Sequence, residues 1–399
     1  MTDTATLREK IMKPVWITAT LVLPVFCTVA SSAGGSLPSF IVTNDDIAAP
    51  WASKVTFYPV NADGTLGAGA PVVTGGSGAG GGNFASNRVI VVPNSSGACV
   101  YASDAGTGDI AGIDAATQTV TGRFSGSSGD DGITDGIGLA ASSKYLYASY
   151  STSYTIATFQ QQAGCKLHFL SDLNTFGLAG GWVGGMAARG NIMVVTYGDG
   201  SIESFDISGG APVSHGDAQY STGSSDDILP NGVAITRDRH FAIFGDTSAF
   251  ANVEVSDLSS GKLAATVPYA VGKAFDSGNV RLSPDETMLF VSNNSTGQVT
   301  AAFFDKITGI VTPGCASAPL QGLFTHYSFT GNIGFQTASG TGGAIYVSEF
   351  GMGSKSYVGI LNLTLNGATC TLTESPNSPV ADPERPSALL SLAVYPAAQ

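Results

Sequence analysis

Short apolar runs that end on a polar residue recur along almost the whole chain. They read Phe40-Ile41-Val42-Thr43-Asn44, Val100-Tyr101-Ala102-Ser103-Asp104, Leu146-Tyr147-Ala148-Ser149-Tyr150 and Met193-Val194-Val195-Thr196-Tyr197. Further along come Ala242-Ile243-Phe244-Gly245-Asp246, Leu289-Phe290-Val291-Ser292-Asn293 and Ile345-Tyr346-Val347-Ser348-Glu349. Brief runs of β-branched and aromatic residues bounded by turn formers predict strands, not helices. The last residues of successive copies lie 60, 46, 47, 49, 47 and 56 positions apart. A four-stranded propeller blade repeats every ~40–50 residues. Seven copies therefore predict seven blades, with two longer insertions.

Each copy is followed by another strand pattern, as in Ile202-Glu203-Ser204-Phe205 and Val358-Gly359-Ile360-Leu361. Polar turns such as Asp63-Gly64 and Ser260-Gly261 then announce a fourth strand. An inner strand precedes most copies, at residues 89–92, 137–140, 233–235, 280–282 and 333–335. Its blade 4 counterpart, near residues 185–188, is weak, and the first copy has none before it. The missing strand lies at the far end of the chain, in Leu389-Leu390-Ser391-Leu392-Ala393-Val394-Tyr395-Pro396. The expected fold is all-β: a seven-bladed β-propeller whose C-terminal strand completes the N-terminal blade. Pairing the two ends removes an exposed sheet edge. A β-sandwich array explains neither the even spacing nor the displaced strand.

The first 33 residues depart from this pattern. Arg8, Lys10 and Lys13 precede an apolar run, and Ser31-Ser32-Ala33 offers small residues before a cut at Gly34. This reads as a signal peptide, with residues 34–399 as one propeller domain. The run is short for a membrane anchor and no basic stop follows it. The expectation is a periplasmic, secreted or cell-surface protein with no membrane segment after cleavage. Cleavage would leave Cys99, Cys165, Cys315 and Cys370, enough for two disulfides by any of three connectivities. Buried free thiols are the competing reading.

Gly is frequent at 52 residues, only 12% of residues are charged, and the formal net charge is −13. The charge argues against nucleic acid and against an anionic membrane surface. A monomer is expected.

Several segments resemble one family. Phe40 to Asn44 and Leu289 to Asn293 are similar to the YVTN repeat of bacterial and archaeal surface propellers. So are Ser283-Pro284-Asp285 and Thr56-Phe57-Tyr58-Pro59-Val60-Asn61-Ala62-Asp63-Gly64-Thr65-Leu66. Together they resemble the seven-bladed lactonase family, which includes 6-phosphogluconolactonase and carboxymuconate cyclase relatives. The resemblance implies the fold more strongly than any activity, because its motifs are structural.

Catalytic signatures are absent from the sequence. It has no Gly-x-Ser-x-Gly elbow, no His-Glu-x-x-His and no phosphate-binding loop ending in Gly-Lys-Ser/Thr. Residues 75–82 are glycine-rich and read as a flexible interblade loop. The four His are His168, His215, His240 and His326, none spaced as a metal pair.

Position is more informative. Loops joining strands two to three and four to one share one face of a propeller, here called the upper face. With Asp3 and Glu9 lost in the leader, the repeat assigns 15 of the remaining 28 acidic residues to that face. The second-strand ends form a set: Asn44, Asp104, Tyr150, Tyr197, Asp246, Asn293 and Glu349. Of these, Asn44, Asp104, Asp246, Asn293 and Glu349 could hold a hard divalent cation such as Ca²⁺. The plainer reading is that Asp and Asn favour strand ends.

Arg281 lies within an inner strand. It is expected either to line the channel and bind a carboxylate, or to pair with Glu349 or Asp246. Asp246 and Glu349 are the candidate acid–base pair, Arg281 the orienting group, and His326 a further candidate acid or base. Two functions follow. One is a lactonase-like hydrolase or cyclase acting on a small lactone or organic acid. The other is a non-catalytic surface or periplasmic propeller that binds a protein partner or a cation. Quinone-dependent dehydrogenases are a distant third.

Overall fold

The computed structural model describes residues 39–80, 87–95, 97–126, 136–175, 177–178, 180–221, 231–245, 253–272, 277–293, 296–321, 330–338, 342–351, 355–384 and 390–396. The expected leader lies outside them. No helix among the described residues is long and apolar enough to cross a membrane.

The strands form seven antiparallel sheets, each of four or five strands. Blades 2 to 7 follow chain order from inside to outside, and blade 1 borrows its inner strand from the C-terminus. That strand, Ser391–Tyr395, pairs with Phe40–Asn44 in a register that sets Phe40 against Tyr395 and Asn44 against Ser391. The junction expected from the sequence is therefore present. Blades 4 and 7 each add a short strand, Gln219–Tyr220 and Val380–Ala381, beside their third strand.

The predicted second strands are all found. They are buried end to end in Phe40–Asn44, Ile192–Tyr197 and Met288–Asn293. Both faces of such a strand meet a neighbouring blade, so its pattern is continuous rather than alternating. Apolar side chains gather into seven clusters, one at each junction between adjacent blades. Phe57, Tyr101, Tyr147, Phe244, Phe290 and Tyr346 belong to these clusters. Burying one such ring stabilises the fold by about 1.5–3 kcal/mol. The weak inner strand of blade 4 is Val183–Arg189. Its Gly184-Gly185-Met186-Ala187-Ala188 stretch is poor in β-formers, yet it pairs fully with the second strand from Gly185 onward.

All four cysteines of the propeller are disulfide-bonded. Cys99–Cys165 joins blade 2 to blade 3, and Cys315–Cys370 joins blade 6 to blade 7. Their loops of 66 and 55 residues correspond to about 4 kcal/mol each in the chain-entropy account.

The glycine-rich segment differs from expectation. Residues 75–80 are packed between blades rather than loose. A Cβ on Gly76 would sit 2.3 Å from Asp104 Oδ2, and one on Gly78 would sit 2.2 Å from the carbonyl carbon of Asp46. Gly78 N–H donates to the Ile47 carbonyl at 2.7 Å. Glycine is needed here because two backbones approach too closely for any side chain.

Candidate functional site

The upper ends of the second strands carry polar groups that join blades. Asn44 Nδ2 donates across the blade 1–2 junction to the Ser103 carbonyl (2.7 Å) and the Arg88 carbonyl (3.2 Å). Asp46 accepts an ion pair from Arg88 at 2.8 Å, with both side chains 2% exposed or less. Its other oxygen accepts from the Ala79 N–H of the packed glycine segment. Asp104 accepts from the Thr74 hydroxyl at 2.9 Å. Burial is the main cause that raises its pKa to about 7. Asp45, held by the Thr43 and Thr56 hydroxyls, is also driven well above the usual carboxylate range. Burial comes first there and the Asp382 charge second.

Asn293 and Glu349 turn into their own blades. Asn293 donates to the Thr300 hydroxyl at 2.9 Å. The wholly buried Glu349 lies over Gly359, where a Cβ would collide with its carboxylate. Asn44 and Asp104 are thus brought together at one junction, while Asn293 and Glu349 have separate settings. Asp246 and His326 lie outside the described residues. Among the described residues, no group of three His, Cys, Asp or Glu side chains is arranged to hold a metal ion.

The second region lies lower in the central channel, toward the turns that join inner strands to second strands. A cavity of about 230 Å³ is walled there by the inner strands of blades 1 to 6. Val, Leu, Ile, Ala and Met make up most of the lining residues, but polar atoms face the space over the larger share of its surface. Three charged residues line it: Arg189, Arg281 and Glu286. Arg281 pairs with Phe290, three residues before Asn293, so it sits roughly 10 Å below the upper strand ends. Arg189 ends the inner strand of blade 4.

Neither arginine forms an ion pair among the described residues. Burial lowers the Arg281 pKa, and the Arg189 charge lowers it further. Arg189 is lowered by burial first; Glu286 opposes this and Arg237 adds to it. Two guanidiniums in one cavity, one of them disfavoured by the other's charge, give that cavity a demand for an anion. The expected pairing of Arg281 with Glu349 is not formed. Arg281 stands beside a second arginine instead.

Arg189 and Glu286 were not singled out by the sequence. Arg189 closes the strand whose pattern is weakest. Glu286 sits in the Ser283-Pro284-Asp285 turn, which reads as an ordinary surface turn. Yet Glu286 is only 8% exposed, and its φ of 59° is in the left-handed region. A charged residue at a turn position that favours glycine was the available signal.

Glu286 is fixed from the neighbouring blade. The Arg237 N–H donates to its Oε1 at 2.5 Å, and the Arg237 guanidinium donates to the Pro284 carbonyl at 2.9 Å. The arrangement can grip a carboxylate with the arginines and present one carboxylate to water or ligand.

No family model matches this chain, and no curated protein matches it. Solved structures do. A candidate 6-phosphogluconolactonase from Bacteroides fragilis superposes with a TM-score of 0.62 at 16% identity, covering 89% of this chain and 98% of that one. Another, from Bacteroides uniformis, gives 0.63 at 15%, covering 89% and 100%. A protein of unknown function from Desulfotomaculum acetoxidans gives 0.60 at 13%, covering 90% and 99%. This likeness extends over nearly the whole propeller and shows a common seven-bladed fold.

Proposed function

We propose that this chain is an exported, lactonase-like propeller that binds a small organic acid or its lactone in the lower channel and hydrolyses the lactone. The observation that carries this reading is the pair Arg189 and Arg281, which line one cavity of about 230 Å³ and form no ion pair among the described residues. That volume is below the ~300–1,000 Å³ of drug-sized pockets, so it suits a small ligand.

In this reading Arg281 and Arg189 hold the carboxylate, or polarise the lactone carbonyl and stabilise the oxyanion that forms on it. Glu286 takes a proton from the attacking water. The carbon–oxygen bond of the ring then breaks, the ring oxygen gains the proton, and a hydroxy acid leaves. The two disulfides support export, since such bonds persist in oxidising compartments. The acidic upper face does not oppose an anion here, because the arginines lie below it.

The test is gluconolactone hydrolysis followed by pH-stat, for wild type and Arg281→Met. Turnover that the substitution abolishes supports the proposal. Binding of gluconate without turnover would favour the non-catalytic binding propeller. Absence of both would remove the proposal.

A further inference from the structure

The channel also carries a charge count that bears on which anions it accepts. Arg189 and Arg281 bring two positive charges and Glu286 one negative charge, so the lining sums to one positive charge. The other lining residues are neutral, and residues 330–338 of the blade 7 inner strand contain no charged residue. Arg237 and Asp285 face water, where screening weakens them.

Glu286 is also an expensive residue for this place. Its backbone is left-handed at φ 59°. That conformation costs roughly 1–2 kcal/mol for a residue other than glycine. Arg239, at the matching place in the blade 5 turn, has φ 64° but lines no part of the cavity. Glu286 is buried, lines the cavity, and is held by the Arg237 N–H across the blade junction. A strained, buried carboxylate fixed from outside its own turn is the kind of outlier that points to function.

We propose that Glu286 is a specificity-determining residue that makes the channel a site for monocarboxylates and rejects dianions. The inference rests on the reading of the channel as an organic-acid site and names its ligand class. A monocarboxylate placed between the arginines leaves the cavity neutral. A second carboxylate would enter the cavity beside the like charge of Glu286, with no cation of the lining left to meet it.

Gluconate and glucarate test this, because they share a six-carbon hydroxylated skeleton and differ by one carboxylate. Calorimetric titration of the wild type should show gluconate binding about tenfold or more tighter than glucarate. Glu286→Gln should move that ratio about tenfold or more toward glucarate. Glu286→Gly should do the same and also raise the melting temperature, because glycine adopts the left-handed backbone freely. Arg281→Met should weaken binding of both acids about 100-fold.

An unchanged gluconate-to-glucarate ratio in both Glu286 variants, with binding still weakened in Arg281→Met, would overturn the charge filter and leave the channel site standing. Failure of the wild type to bind either acid would overturn the channel reading and the filter with it.

Discussion

The upper strand ends and the lower channel hold polar and charged residues in opposite conditions. At the upper ends, Asn44, Asp46, Arg88 and Asp104 are joined to one another's blades by ion pairs and hydrogen bonds. In the channel, Arg189 and Arg281 line one cavity and form no ion pair among the described residues. The first arrangement holds the ring together. The second adds nothing evident to stability and makes sense as a place for a ligand. Charge alone does not mark a site; charge left without a partner by the fold does.

Substitutions should separate the two regions. The largest effect is expected at the upper junction. Arg88→Met would leave Asp46 buried without its ion pair, and should cost about 3–5 kcal/mol in denaturant unfolding. Gluconate affinity of the folded protein should be unchanged.

Arg281→Met should behave in the reverse sense. Affinity should fall about 100-fold, near 2.7 kcal/mol. The melting temperature should hold or rise, because a partly buried charge repelled by Arg189 is gone. A large loss of stability would mean that Arg281 belongs to the framework.

A smaller effect, in pH, belongs to Asp104. Its folded-state pKa of about 7 lies above the unfolded value of ~3.9, so the folded state favours the proton. Its contribution is complete below pH ~4, declines as pH rises toward about 7, and is flat above that. Asp104→Asn should remove roughly 2 kcal/mol of this decline, read from unfolding midpoints at several pH values. An identical pH profile in the variant would show that Asp104 ionises normally.

The smallest expected effect is that of Ca²⁺. Asn44, Asp104 and Asn293 already have protein partners. Millimolar Ca²⁺ and a chelator should therefore give melting temperatures within about 1 °C, by the linkage between binding and stability. A rise of several degrees with Ca²⁺ would support a cation site at the strand ends.

Much of the fold was legible in the sequence, because each blade repeats one buried strand that must meet neighbours on both faces. Leu289 to Asn293 and Ile345 to Glu349 fall within observed second strands, and Ser391–Tyr395 closes the ring where the displaced pattern stood. The site was legible only in Arg281. A repeat places residues at a level and a face, but it does not say which way a side chain turns. Glu349 turns over Gly359, and Asn44 reaches into the next blade. Arg189 and Glu286 were hidden in a weak strand and a turn. Their meaning depends on contacts between blades that local pattern does not record.

The most direct test of the channel account is the position of a heavy-atom carboxylate. Crystals soaked in bromoacetate should show a bromine anomalous peak in the lower channel, with the carboxylate against Arg189 and Arg281. A bromine site only at the upper strand ends, with the lower channel holding water, would contradict the account.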